Sequence, residues 1–342
     1  MKKISILLII IFSFGCKSST VVINNEDASQ NIIPKPSKGD VIMASSLNSD
    51  KRYLVSSEEL KNIVEYMASD ELNGRDTGSE GIEKAAIFIE NSFMKSNIKP
   101  YFTTYRDSFN LKGVNAYNIV GFIEGTDATL KKEIVIIGAH YDHIGTAKQV
   151  NEDIIANGAN DNAAGTSAVL EIADYLAATK NNKRSIIIAL FSAEEKGLKG
   201  SEHLAEKLKA QNINLYTMLN FEMIGVPFTD RPYEAFITGF ELSNMSAKIN
   251  EYTNTSLTGF SEVAKKYDLF KHSDNYPFYQ AFKLPCQTIS SCDLSNYNYY
   301  HHVDDEADKL DYNHMERLIN KLLPAIESMC NTPTKEIKMN NE

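Results

Sequence analysis

The sequence predicts an α/β protein with a largely parallel sheet covered by helices on both faces. Three observations carry this. Apolar, β-branched runs recur at 133–138 (EIVIIG), 185–191 (SIIIALF), 215–221 and 284–289, and continuous apolar strands are those buried on both sides. Segments with helical spacing of apolar residues lie between them. Imidazole and carboxylate side chains cluster just after the runs, where open α/β sheets place their sites.

The elements follow in order. Lys2 and Lys3, the apolar run Ile4 to Phe14, and Gly15-Cys16 form a signal peptide over residues 1–15; the run is shorter than the roughly 20 residues of a membrane span. A small residue before Cys16 resembles a bacterial lipobox, with Ser13 where Leu is usual. The chain is therefore expected to be an exported bacterial lipoprotein, anchored in a membrane through Cys16 on the periplasmic or cell-surface side. Residues 16–55, rich in Ser, Asn, Asp and Lys with Pro34 and Pro36, read as a flexible tether.

The domain spans 56–331. Ser56 and Glu59 have capping-box spacing, followed by Leu60, Ile63, Val64 and Met67 on one helical face. Helices are expected over Gly81 to Met94 and Ala163 to Ala178, and strands at the four apolar runs. From Thr332 to 342 the tail is polar and expected to fray.

With 35 basic and 45 acidic residues the net charge is -10, and no basic cluster interrupts the body of the chain. Nucleic acid is thereby excluded as a partner, since phosphate binding needs a positive stripe. Beyond Cys16 remain Cys286, Cys292 and Cys330; three thiols form at most one disulfide, and without CxxC they read as buried structural residues.

The chemistry sits after the strands. His140, Asp142 and His143 follow the first; Asp161 lies in the Gly-rich loop NGANDNAAG; Glu194 and Glu195 follow SIIIALF; Glu222 follows the third strand; Tyr300-His301-His302 precedes Asp304, Asp305 and Glu306. Any one of these is an ordinary loop residue. Together they form a ligand set suited to zinc and related divalent metals, enough for two ions with one carboxylate shared.

In order along the chain, SDELNGRDTGSEG (69–81), GAHYDHIG (138–145), NGANDNAAG (157–165), FSAEEKGLKGS (191–201), LNFEMIG (219–225), SDNYPF (273–278) and YHHVDDEADKLD (300–311) resemble the zinc aminopeptidases of the M28 peptidase family. The resemblance implies a three-layer α/β/α sandwich with a central mixed, mostly parallel sheet. It also implies two zinc ions and hydrolysis of N-terminal residues from peptides by a water bridging them. His140 and Glu222 would bind one ion, Glu195 and His301 the other, and Asp161 both. Asp142 matches the acid that orients the histidine ligand, and Glu194 the general base. The H-x-x-x-D spacing to Asp305 selects His301 over His302.

Three positions depart from the family pattern: Glu222 stands where Asp is usual, Asn275 where His is common, and Phe270 where some relatives carry an oxyanion-donating Tyr. His143, His203, His272 and His314 read as structural or exposed, Arg75 as a structural ion-pairing residue, and Tyr297, Tyr299 and Tyr300 as packing. Two alternatives stand beside the aminopeptidase: a single-zinc enzyme like the glutaminyl cyclases, and a non-catalytic peptide-binding lipoprotein on the same fold.

Overall fold

The computed structural model describes residues 54–340. The signal peptide, Cys16 and the tether up to residue 53 lie outside the described residues. Two helices come first, α1 (Ser57–Met67) and α2 (Glu80–Lys95), separated by a short 3-10 segment, Asp70–Arg75. The Ser56 side chain accepts the Glu59 N–H at 3.2 Å, as its spacing implied, and Ser79 caps α2 through the Ile82 N–H.

Strands β1 (Lys99–Pro100), β2 (Arg106–Leu111), β3 (Val114–Ile123) and β4 (Glu133–His140) follow, then a separate β5 (Thr146–Val150) and β6 (Asp153–Ile155) pair. Next come α3 (Ala164–Thr179), β7 (Ser185–Phe191), α4 (Lys199–Ala210), β8 (Asn214–Phe221) and β9 (Ala235–Ile237). The chain continues through α5 (Met245–Thr253), β10 (Thr258–Gly259), α6 (Glu262–Lys266), α7 (Asn275–Phe282), β11 (Cys286–Ser290) and α8 (Tyr312–Asn331).

The main sheet runs β1-β3-β7-β4-β8-β11-β9-β10, with β2 also on β3. Its centre, β7-β4-β8-β11, is parallel, while β3 and β9 join it antiparallel. The sheet is thus mixed and mostly parallel. Along β4 the side chains part by turns. Ile134 and Ile136 pack with Leu204 and Leu208 of α4 and Phe278 of α7. Val135 and Ile137 pack with Leu60 of α1, Ile89 of α2, Val169 of α3 and Leu318 of α8. This alternation produces the three layers, each buried Ile or Leu contributing about 1.5–3 kcal/mol.

One point differs from expectation. The tail beyond α8 does not fray among the described residues: Ile337 is buried and donates its N–H to the Tyr216 hydroxyl at 2.9 Å, and Met339 bridges Ser243. The apolar Ile337 supplies the anchor that a polar tail otherwise lacks. Cys286, Cys292 and Cys330 are free, buried thiols. Among the described residues no helix is long and apolar enough to cross a membrane.

Candidate metal centre

In space β7 and β8 flank β4, although both follow it in the chain. The chain leaves β4 to one side, returns, and crosses to the other. Their carboxyl ends therefore open a crevice at a topological switch point. His140 ends β4, Glu194 and Glu195 follow β7, and Glu222 follows β8.

His140 is fully buried. Its Nδ1 faces the backbone carbonyl of Asp142 at 3.1 Å, which turns Nε2 toward Asp161 Oδ1 at 3.4 Å. The Asp142 carboxylate lies 3.8 Å from Nδ1 and accepts the backbone N–H groups of Glu194 and Glu195 at 3.1 and 3.3 Å. It thereby ties the end of β7 to the end of β4.

Asp161 is presented by the asparagine-rich loop. Asn160 Oδ1 accepts the Gly225 N–H at 2.8 Å, and Asn162 Oδ1 accepts that of Met223 at 3.1 Å. Asn162 also donates to the Phe221 carbonyl at 2.9 Å. These bonds fasten the loop to the segment carrying Glu222. His301 Nε2 closes the group, 3.4 Å from Asp161 Oδ2 and 3.1 Å from Glu195 Oε2. His302 turns away, its Nδ1 accepting the Asp304 N–H at 3.1 Å.

The electrostatics are those of a site short of positive charge. Burial pushes Asp142 up to about 6, Asp274 up to about 7 and Glu222 up to about 8. Burial likewise raises Glu194 well above the carboxylate range, against the pull of His140 and with Glu222, Asp274 and Glu195 adding to it. Asp161 behaves oppositely: burial alone would raise it, but His140, His143 and His301 hold it well below its ordinary value.

The donor set fits divalent metal. His140 Nε2, Asp161 Oδ2, Glu222 Oε2 and His301 Nε2 are all buried without a hydrogen-bond partner. Buried polar atoms are rarely left so unless an ion or water completes them. Imidazole and carboxylate are zinc's usual nitrogen and oxygen ligands.

Some residues take places the sequence did not disclose. His143 is fully buried within the cluster, its Nδ1 3.0 Å from Glu195 Oε1. Asp274, inside the SDNYPF motif, is buried with both carboxylate oxygens unpartnered. Arg75 was expected to make an ion pair. Instead its guanidinium donates to the carbonyls of Tyr141 (2.9 Å), Asn157 (2.7 Å), Gly158 (2.9 Å) and Met67, joining the His140 and Asp161 loops.

The other expectations fall outside the cluster. Asn275 is a buried staple, bonded to the carbonyls of Phe270 and Cys286 and to Thr288. Phe270 packs edge-on against Tyr276 and Tyr279. His203 pairs with Asp107 at 3.3 Å, and His314 is buried on α8. His272 and Tyr300 line a cavity of about 50 Å³ beside Glu222.

Fold and site together define an α/β protein with a buried imidazole–carboxylate cluster, fit to hold metal, at its parallel strand ends. The model of peptidase family M28 matches residues 118–326, and the chain belongs to that family. A probable leucine aminopeptidase of Trichophyton verrucosum is 29% identical over 207 residues, 58% of this chain and 52% of that protein. The match thus spans about half the length of such curated relatives. Among solved structures, the LapA aminopeptidase of Legionella pneumophila is similar with a TM-score of 0.61 and 19% identity, over 89% of this chain and 78% of that one. A glutaminyl cyclase of Porphyromonas gingivalis gives 0.61 and 15%, over 81% and 99%. Both share the fold.

Proposed function

We propose that this chain is a di-zinc aminopeptidase that removes N-terminal residues from peptides. One observation carries the reading: His140, Asp161, Glu222 and His301 turn buried, unpartnered atoms into one crevice at the strand ends. His140 and Glu222 would hold one ion, Glu195 and His301 the other, and Asp161 would be shared. Bound there, the two ions supply a water acidified toward neutrality and a polarised substrate carbonyl.

The protein's own part is proton movement and orientation. Glu194 takes the proton as the water oxygen adds to the carbonyl carbon, then delivers it to the amine nitrogen as the C–N bond breaks. Its burial among acids, which raises its proton affinity, suits that role. Asp142 holds Glu194 and Glu195 by their backbone N–H groups and fixes the two side chains relative to His140. The small cavity beside Glu222, with Met223, Phe236 and Leu269 in its wall, suits a short apolar side chain on the first residue.

Relatives named as probable leucine aminopeptidases support this reading. The solved cyclase shares the fold, so single-zinc cyclisation of N-terminal Gln is the competing reading, and the metal count separates them. As to location, Lys2, Lys3, the apolar run Ile4 to Phe14 and Gly15-Cys16 support an exported lipoprotein held to the periplasmic or cell-surface side of a membrane by Cys16.

The test is metal content together with a panel of amino-acid anilides, free and N-blocked, before and after chelation. Two zinc ions and chelator-sensitive cleavage of free-amine substrates alone are expected. One zinc with cyclisation of N-terminal Gln would replace the reading by the cyclase. No metal and no turnover after zinc is restored would leave a binding protein.

A further inference from the structure

We propose that His143 is a fourth protein ligand of the ion held by Asp161, Glu195 and His301, an inference that rests on the metal reading above. Nothing in the aminopeptidase pattern requires an imidazole three residues beyond His140.

The first support is position. His143 Nδ1 lies 3.0 Å from Glu195 Oε1 and 3.7 Å from Asp161 Oδ2. His301 Nε2 lies 3.1 Å from Glu195 Oε2 and 3.4 Å from the same Asp161 Oδ2. Zinc bonds of about 2.0–2.1 Å in a tetrahedron put neighbouring donor atoms about 3.4 Å apart. The four measured separations fall on both sides of that value. Two imidazoles thus meet one carboxylate pair, their rings edge-on with centroids 5.6 Å apart.

The second support is that the fold makes room for this ring. Gly158 has φ +59, and a Cβ there would stand 2.6 Å from the His143 ring; glycine alone meets both demands. The backbone N–H of His143 is held by the Arg75 carbonyl at 3.3 Å. Arg75 in turn donates to the carbonyl of Gly158. The ring is therefore fixed from its own backbone and from the wall it faces.

The rival role is a hydrogen-bond brace, with Nδ1–H donating to Glu195. Nε2 is buried without a partner in either role, as an acceptor in the brace and as an N–H in the ligand, so the placement of Nδ1 decides between them. Ligation through Nδ1 would give that ion two imidazole nitrogens and two carboxylates, the donor types zinc takes, in addition to the water shared with its neighbour. The other ion would have three protein ligands, His140, Glu222 and the shared Asp161. The site with four protein ligands would then bind more tightly and empty last under chelation.

The experiment compares wild type with His143→Asn and His143→Ala, titrating metal-free protein with zinc and with cobalt. An Asn amide can keep the bond to Glu195 but is a poor zinc ligand. In both variants one equivalent should weaken on the order of 100-fold or more and its share of the cobalt visible spectrum should change. The His143→Asn variant binding both ions with wild-type affinity and spectrum would overturn the proposal and leave the brace. Independently of any variant, cobalt-loaded wild type should show three paramagnetically shifted imidazole N–H protons, against two if His143 is no ligand. A wild type that takes one ion overturns the two-ion reading alone. In that case two shifted N–H protons still make His143 a ligand, and one removes it. A wild type that binds no ion overturns both.

Discussion

The carboxylate of Asp305 accepts the backbone N–H of Asp161 at 3.0 Å and, through its other oxygen, that of Asn160 at 2.8 Å. It sits four residues beyond His301 and also accepts the Tyr297 hydroxyl at 2.5 Å. One acid therefore ties the loop of Asp161 to the loop of His301. Replacing Asp305 by Ala strands three buried donors at about 1–3 kcal/mol each. Zinc affinity should fall roughly 10–100-fold, read by competition with a chromophoric chelator. An unchanged dissociation constant in Asp305→Ala would refute this orienting role.

Glu194→Gln isolates proton transfer from metal binding. Gln keeps the shape and the backbone bond to Asp142 but cannot accept the proton. Turnover should fall about 10²–10⁴-fold while both ions remain bound by elemental analysis. Residual activity within tenfold of wild type would remove Glu194 from the role of base.

Arg75 is tested by stability. Arg75→Ala leaves the carbonyls of Met67, Tyr141, Asn157 and Gly158 without their shared donor and opens a void. The loss should be on the order of 4 kcal/mol in urea unfolding. Arg75→Lys should restore only part of it, because one ammonium cannot reach the positions a planar guanidinium spans. Full recovery by Lys would mean that charge alone matters there.

Much of this cluster was legible because several of its residues follow apolar strands: EIVIIG leads to His140, SIIIALF to Glu194 and Glu195, the β8 run to Glu222. His143 was not legible in that way. A lone imidazole without a partner pattern reads as structural, and only its three-residue distance from His140 hinted otherwise. Arg75 misled for a different reason, since a buried guanidinium bonded to carbonyls has no sequence partner to find. The β2–β3 hairpin also lacks a sequence signal. Its turn is Lys112-Gly113, both at positive φ, in place of the Asn-Gly that marks such turns, and the start of β3 is exposed. The helix α8 carries Pro324 in its interior, a residue that argues for a break.

The proposed anchor makes a separate prediction. Cys16→Ala should move the protein from the membrane pellet to the soluble fraction on cell fractionation, with metal content unchanged. A variant that stays in the pellet through detergent-free washing would exclude lipidation at Cys16 as the tether.

The last prediction concerns pH. In the metal-free chain, Asp142, Asp274 and Glu222 are raised by burial to about 6, 7 and 8, above unfolded values near about 4. A raised acid contributes stability that is complete below its unfolded pKa and is lost as pH rises through the folded one. His301, which burial alone would lower, is carried up to about 10 by Asp161 and Glu195. Its contribution is likewise complete below about 6.5 and lost toward 10. Asp161 and Glu195 run the other way: burial would raise them, yet facing imidazoles hold them low. Their contributions are lost only as pH falls below the ordinary carboxylate range. Between pH 5 and 8 the metal-free chain should therefore lose stability as pH rises. Metal binding acts in the opposite sense, since ligands must shed protons before they bind. For each proton displaced, affinity should rise roughly tenfold per pH unit, and the metal-dependent gain in Tm by about 2–4 °C. Calorimetric scans with zinc and with chelator, at pH 5, 6, 7 and 8, measure this directly. A gain in Tm that is the same at pH 5 and pH 8 would mean that the buried acids release no protons to the metal, and that Glu222 is not among its ligands.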